Sequence, residues 1–234
     1  MKLCWTALAV AGSLALGVAE AGTLKVSPIK VFLSADGKSQ VIRVKNPDPT
    51  PALVQVQAVE WVKAEDLDQA ARAEEILAVP PIFEMKPESE QVIRLAHRDP
   101  GSASIEKAYR LLITEVPEEV EPGGVAFAVR LNMPLFVTPQ GAVPDPEWRF
   151  QYTDSGEAEL ILANRGSAHL MVKSLELRAP GYGKPIFETD QFAYALAGKE
   201  QRWSLGYDQK ALPESLEVLS ETHLGPQQSP VMTP

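Results

Sequence analysis

The sequence predicts an all-β protein built of two antiparallel sandwiches in tandem, and three observations carry that prediction. Residues 125–137 read V-A-F-A-V-R-L-N-M-P-L-F-V, with a large apolar residue at every second position. A two-residue period puts those side chains on one face of an extended strand. Roughly seven such segments fall within about 115 residues at hairpin-like spacing, the pattern of a sandwich. Residues 138–146 (T-P-Q-G-A-V-P-D-P) are rich in Pro and Gly and read as a linker.

In chain order, residues 24–33 (L-K-V-S-P-I-K-V-F-L) alternate and then become continuously apolar. Residues 40–45 (Q-V-I-R-V-K) form a short strand that ends at the turn signal N-P-D-P. Residues 52–62 alternate most clearly, with Leu53, Val54, Val56, Val59 and Trp61 available for burial. Residues 63–78 are charged and Ala-rich, a composition compatible with a helical turn but read in preference as an exposed loop. Extended structure restarts at Val79-Pro80-Pro81-Ile82-Phe83. Strands at 91–96 and 108–116 follow, and an acidic Gly-Gly loop at 117–124 leads into the alternating stretch. Pro134 cannot donate to a ladder, which marks that last strand as an edge or as unpaired on one side. Beyond the linker, six shorter apolar segments predict a smaller β domain over 147–224. Residues 225–234 are polar and Pro-rich and are expected to be disordered.

The first 21 residues have a basic Lys2, an apolar run from Leu3 to Val18 and the small-x-small site Ala19-Glu20-Ala21. This reads as a secretory signal peptide, leaving a first domain over 22–138. Cleavage there removes Cys4, the only cysteine, so packing rather than disulfides must hold the mature chain. No later segment is apolar enough to span a bilayer, so no membrane insertion is expected after cleavage. The net charge of -9 argues against nucleic acid as a partner.

Signatures of catalysis and cofactors are missing. The three histidines, His97, His169 and His223, are scattered. No zinc or calcium motif, nucleophile elbow, dinucleotide fingerprint or P-loop occurs. No metal, no cofactor and no enzymatic activity are therefore expected. His97 and His223 read as surface residues and His169 as structural. Arg94 and Glu115 interrupt apolar strands; either each points outward or the two meet as a buried pair, since buried charges persist only when partnered.

At this level the chain resembles the periplasmic chaperones of chaperone/usher pilus assembly, the PapD-like family, in a divergent or archaic-type branch. The resemblance rests on S-P-I-K-V, V-K-N-P, V-P-P-I-F…K-P-E-S-E-Q-V-I-R-L, A-Y-R-L-L-I-T-E-V-P and V-A-F-A-V-R-L-N-M-P-L-F-V-T-P, in order and spacing. It implies two Ig-like β-sandwich domains in an L-shaped arrangement. It implies a periplasmic protein whose partners are pilus or fimbrial subunits and an outer-membrane usher. The last strand of the first domain would be donated to an incomplete subunit, a form of β-augmentation. Val125, Phe127, Val129 and Leu131 would be the plug residues, their burial supplying on the order of 6–12 kcal/mol before ordering costs. Lys30 falls where the family has a cation that binds the subunit's C-terminal carboxylate. The second cation of the family falls on Pro134, a departure that Arg130 or Arg110 would have to compensate. Arg94 and Glu115 fall on two positions of the family's interdomain ion network, with Asp208 and Glu221 as candidates for the third.

The competing reading is an exported two-domain Ig-like adhesin or structural surface protein. A chaperone must expose the edge of its last strand, whereas an adhesin would bury it. The sequence leaves open self-association through the same edge.

Overall fold

A computed structural model describes residues 24–37, 39–99, 104–117, 129–181, 183–208, 213 and 215–232. The first strand divides at Pro28. Its first part, β1 (Lys25–Ser27), pairs with β3 (Gln40–Lys45). Its second, β2 (Val31–Ser34), runs parallel to β9 (Arg130–Thr138) in the opposite sheet. A proline has no N–H to continue a ladder, so it suits the point where the chain changes sheets. The remaining strands of this domain are β4 (Ala52–Glu60), β5 (Ile76–Val79), β6 (Ile82–Met85), β7 (Glu90–His97) and β8 (Lys107–Val116). One sheet has the order β1-β3-β7-β5 and the other β2-β9-β8-β4-β6. Between them lies a core that includes Ile42, Val44, Val54, Val56, Ile93, Leu95, Leu111, Ile113 and Leu135.

The pleat decides which predicted core residues are buried. On β4, Val54 and Val56 face the core, while Leu53 is 40% exposed on the other side of the strand. Val59 is buried too, and Trp61 lies half-buried just past the strand end. The stretch expected to be a loop after β4 contains a 3₁₀ turn (Ala64–Gln69) and the strand β5.

The second sandwich contains β10 (Pro146–Tyr152), β11 (Glu157–Asn164), β12 (Leu170–Arg178), β13 (Phe187–Thr189), β14 (Ala193–Ala195), β15 (Glu200–Asp208), β16 (Glu217–Thr222) and β17 (Gly225–Pro230). Sheet β10-β11-β15 faces sheet β13-β12-β16-β17, with β14 also on β12. Trp148, Leu160, Leu162, Leu170, Val172, Leu177 and Val218 fill its core.

One expectation is corrected here. Much of the segment read as a disordered tail is strand β17, antiparallel to β16 from Thr222↔Gly225 to Glu217↔Pro230. Gly225 takes a φ of 105°, and Thr222 Oγ1 donates to its carbonyl at 2.8 Å, closing the hairpin. Val231 then inserts into the second core. Backbone pairing and one apolar anchor order a segment whose composition suggested otherwise. The linker is also fastened to the second domain: Ser167 N–H donates to the Val143 carbonyl at 2.8 Å, and Asp145 N–H to Asn164 Oδ1 at 3.0 Å. A Cβ on Gly166 would lie 2.4 Å from the Val143 carbonyl oxygen and the Asp145 nitrogen, so only glycine fits that contact.

Candidate functional site

Strand β9 has two different halves. From Leu135 to Thr138 it is paired on both sides, with β8 and with β2. From Arg130 to Pro134 it pairs with β8 only, and its other edge has no partner among the described residues. The Glu115 N–H donates to the Val129 carbonyl at 2.9 Å, so the odd-numbered residues exchange hydrogen bonds with β8. The backbone groups of Arg130 and Asn132, and the Pro134 carbonyl, therefore point to the open edge. Pro134 removes no hydrogen bond from the β8 ladder, and its missing donor falls on the unpaired side.

The odd-numbered side chains face the space between the sheets. Met133, Leu135 and Val137 are buried in the first core, and half-buried Leu131 packs against it. Val129 is also half-buried and continues this row toward the strand's start. Val125 and Phe127 lie outside the described residues.

The even-numbered side chains face the second domain. Across the sheet, Phe32, Phe136 and Ala108 are register neighbours, as are Pro134 and Arg110. Lys30 precedes β2 and lines a cleft of about 590 Å³ between the sandwiches, with Ile29, Leu131, Pro134, Met171, Phe192 and Tyr194. Its ammonium contacts Met171 Sδ at 3.0 Å, a weak acceptor. The guanidinium of Arg110 lies over the Trp61 ring, with Cζ 3.6 Å from the centroid. Burial holds its pKa below the usual range, partly offset by Tyr194. Arg130, by contrast, pairs with Asp68 at the far end of the strand. The structure thus places Lys30 and Pro134 in one cleft, sets Arg110 beside Pro134 on the neighbouring strand and against Trp61, and pairs Arg130 with Asp68 elsewhere.

Below the cleft the domains are joined by groups that the sequence did not single out together. Glu106 has a nearly buried carboxylate, its side chain 2% exposed. Its Oε1 accepts the His169 backbone N–H at 2.9 Å and lies 2.7 Å from His169 Nδ1. Its Oε2 accepts the Thr138 hydroxyl at 2.8 Å. The His169 ring stacks on Phe136 with centroids 3.8 Å apart, and Trp61 and Tyr194 pack around that pair. On its far side His223 stacks at 5.1 Å. Burial is the main cause that holds the His223 imidazole below the ordinary histidine range. His169 fits its structural reading. The signal for Glu106 was weak, because a carboxylate just before a strand looks like any solvated residue.

Arg94 and Glu115 do not form an ion pair. On β7, Ile93 and Leu95 take the core side, so Arg94 between them is exposed. Glu115 lies on β8 in the opposite sheet. There it shares the core side with Leu111 and Ile113, and its Oε2 is buried with no hydrogen-bond partner among the described residues. Of the other candidates, Glu221 pairs with Lys173 at 3.4 Å and Asp208 ends β15. Burial, aided by Asp48, raises the Glu115 pKa. A carboxyl with a raised native pKa favours folding at pH below its unfolded value, near 4.5, and loses that contribution as pH rises through the native value. Glu115→Gln should therefore raise stability at pH 7 by up to about 1 kcal/mol and leave it unchanged below about pH 4. Paired thermal melts at the two pH values check this.

Comparison with known proteins agrees with this geometry. The model of the pili and flagellar-assembly chaperone family, PapD N-terminal domain, matches residues 23–143. No curated protein sequence matches. Among solved structures, the fold is similar to a chain of the CsuC–CsuE chaperone–tip adhesion subunit pre-assembly complex from archaic Csu pili of Acinetobacter baumannii. That likeness has 21% identity and a TM-score of 0.66, covering 91% of this chain and 99% of that one. The YadV chaperone is similar at 18% identity and a TM-score of 0.64, with 88% and 98% covered. A chain of the Salmonella enterica SafA pilin–SafB chaperone complex is similar at 19% identity and a TM-score of 0.63, with 90% and 97% covered. The expected all-β fold, two Ig-like domains in an L-shaped arrangement, is the fold of this group. With more than half of its length matched by the family model, the chain belongs to the PapD family of pilus-assembly chaperones.

Proposed function

We propose that this protein is a non-enzymatic periplasmic chaperone that captures pilus subunits along the open edge of β9 and delivers them to an outer-membrane usher. The observation that carries the reading is the half-paired strand. Its unpartnered backbone groups lie beside a row of apolar side chains that continues the protein's own core. A subunit lacking its last strand would add to that edge by main-chain hydrogen bonds. Val129 and Leu131, with Val125 and Phe127 ahead of them in sequence, would enter its groove. Long apolar edges invite aggregation unless covered, and a subunit would cover this one. An adhesin would have no use for such an edge.

Lys30 is the candidate for holding the subunit's C-terminal carboxylate. A charge-assisted hydrogen bond of this kind contributes about 1.5–3 kcal/mol, so Lys30→Ala should weaken capture roughly 10- to 100-fold. Its only hydrogen-bond partner among the described residues is the Met171 thioether, so the melting temperature should not change. The test is co-expression with neighbouring secreted reading frames and recovery of a complex from the periplasm. Recovery of no subunit would overturn the proposal, and equal recovery with Lys30→Ala would remove the anchor role.

A further inference from the structure

The hairpin that joins β16 to β17 carries His223 at its tip. Two hydrogen bonds clasp this residue to the head of β12. Its backbone N–H donates to the Met171 carbonyl at 3.0 Å, and its ring Nδ1 accepts the Met171 N–H at 3.1 Å. A backbone N–H can only donate, so Nδ1 must offer a lone pair. The ring that holds Met171 is therefore neutral, with its proton on Nε2.

The same ring stacks on His169, with centroids 5.1 Å apart and planes 15° from parallel. His169 is where the second sandwich grips the first, through Phe136 and the Glu106 carboxylate. His169 at the head of β12, Lys30 before β2 and Glu106 before β8 all act on His223. The first two oppose a proton on it, and Glu106 favours one. That carboxylate already accepts from the His169 backbone, the His169 ring and the Thr138 hydroxyl. Glu221, two residues before His223, is engaged by Lys173. The outer side of His223 is exposed, so a proton reaches it directly from solvent. A proton on Nδ1 would face the Met171 N–H as a second donor and break that bond. It would also set a cation against His169 and Lys30. Met171 touches Lys30 through Sδ at 3.0 Å, which links the hairpin to the first sandwich.

We propose that His223 is a proton-operated latch between the two sandwiches. Neutral, it clasps Met171 and packs on His169; protonated, it releases Met171 and loosens the His169–Glu106 junction. The latch is independent of the chaperone reading. Burial, followed by His169 and Lys30, holds the His223 imidazole below the ordinary value of 6.5. The unfolded chain takes up a proton near that value while the folded chain resists it. The contribution of the latch is therefore complete above about pH 6.5 and is lost as pH falls through the lower, folded value.

The test is amide hydrogen exchange read by NMR from about pH 7.5 to about pH 5, each rate divided by its intrinsic rate at that pH. Two amides matter: Met171, which His223 accepts, and His169, which donates to Glu106 across the junction. In wild type both should lose protection by about three- to tenfold, with the midpoint at which the His223 ring itself titrates. His223→Asn keeps a neutral acceptor near the Nδ1 position and should hold both amides protected at every pH. If only Met171 loses protection, the effect of His223 is local and the latch falls. If His223→Asn loses protection as wild type does, another group is the sensor and the proposal is overturned. Should His223→Asn fail to fold, the wild type decides alone. A His169 amide whose midpoint departs from that of the His223 ring, or a His223 ring that titrates at or above 6.5, overturns the latch.

Discussion

Phe127→Asp is expected to abolish subunit capture while the free protein melts as before. The residue lies outside the described part of the chain, and the expectation comes from the row it extends. Leu131, Met133, Leu135 and Val137 share the core side of β9. A two-residue period carries that side through Val129 to Phe127. Burying a phenylalanine in a partner contributes about 1.5–3 kcal/mol, and a carboxylate in its place adds a desolvation cost. The combined loss exceeds about 3 kcal/mol, or more than about 100-fold in Kd. Pull-down of a co-expressed subunit, with circular dichroism melts of the free variant, checks both halves. Unfolding of the variant would place Phe127 in the protein's own core instead.

The second large effect is expected at the domain interface. Glu106→Ala removes the acceptor for the His169 backbone N–H, the His169 ring and the Thr138 hydroxyl at once. Breaking a buried, hydrogen-bonded constellation by deleting one partner costs about 3–5 kcal/mol. In a chain of this size that corresponds to a fall of roughly 6–20 °C in melting temperature. The loss should be accompanied by separation of one calorimetric transition into two, because Glu106 and His169 belong to different sandwiches. Glu106→Gln keeps one acceptor oxygen and should lose markedly less. If Glu106→Ala melts like wild type, the contact between domains contributes nothing to their coupling. Phe136 and Lys30 flank this junction, so a loosened hinge should also weaken subunit capture without any change in the anchor itself.

Not all of this was legible in the residues. The strands were, because a pleat forces a two-residue period that survives in the sequence wherever one face is buried. The open edge was partly legible as well, since Pro134 can sit only where its missing donor costs nothing. Lys30 could be placed by its position in a motif. The expected pair of Arg94 with Glu115 failed for a reason of the same kind. Ile93 and Leu95 claim the core side of β7, and alternation turns Arg94 outward. The sequence motif fixed where the two residues stand along the chain but not which sheet each would join.

By itself, then, the sequence determined the all-β class, the linker and the alternating strand with its proline. Each is written in local spacing or composition. Only the tertiary structure decided that Glu106 meets His169, 63 residues away, that Arg110 stands beside Pro134, and that Pro134 and Lys30 line one cleft. It likewise decided that residues 225–230 complete a sheet. The physical reason is that these partnerships depend on strand order and on how two sandwiches dock. A side chain that waits for a distant partner looks, in its own neighbourhood, like any solvated residue.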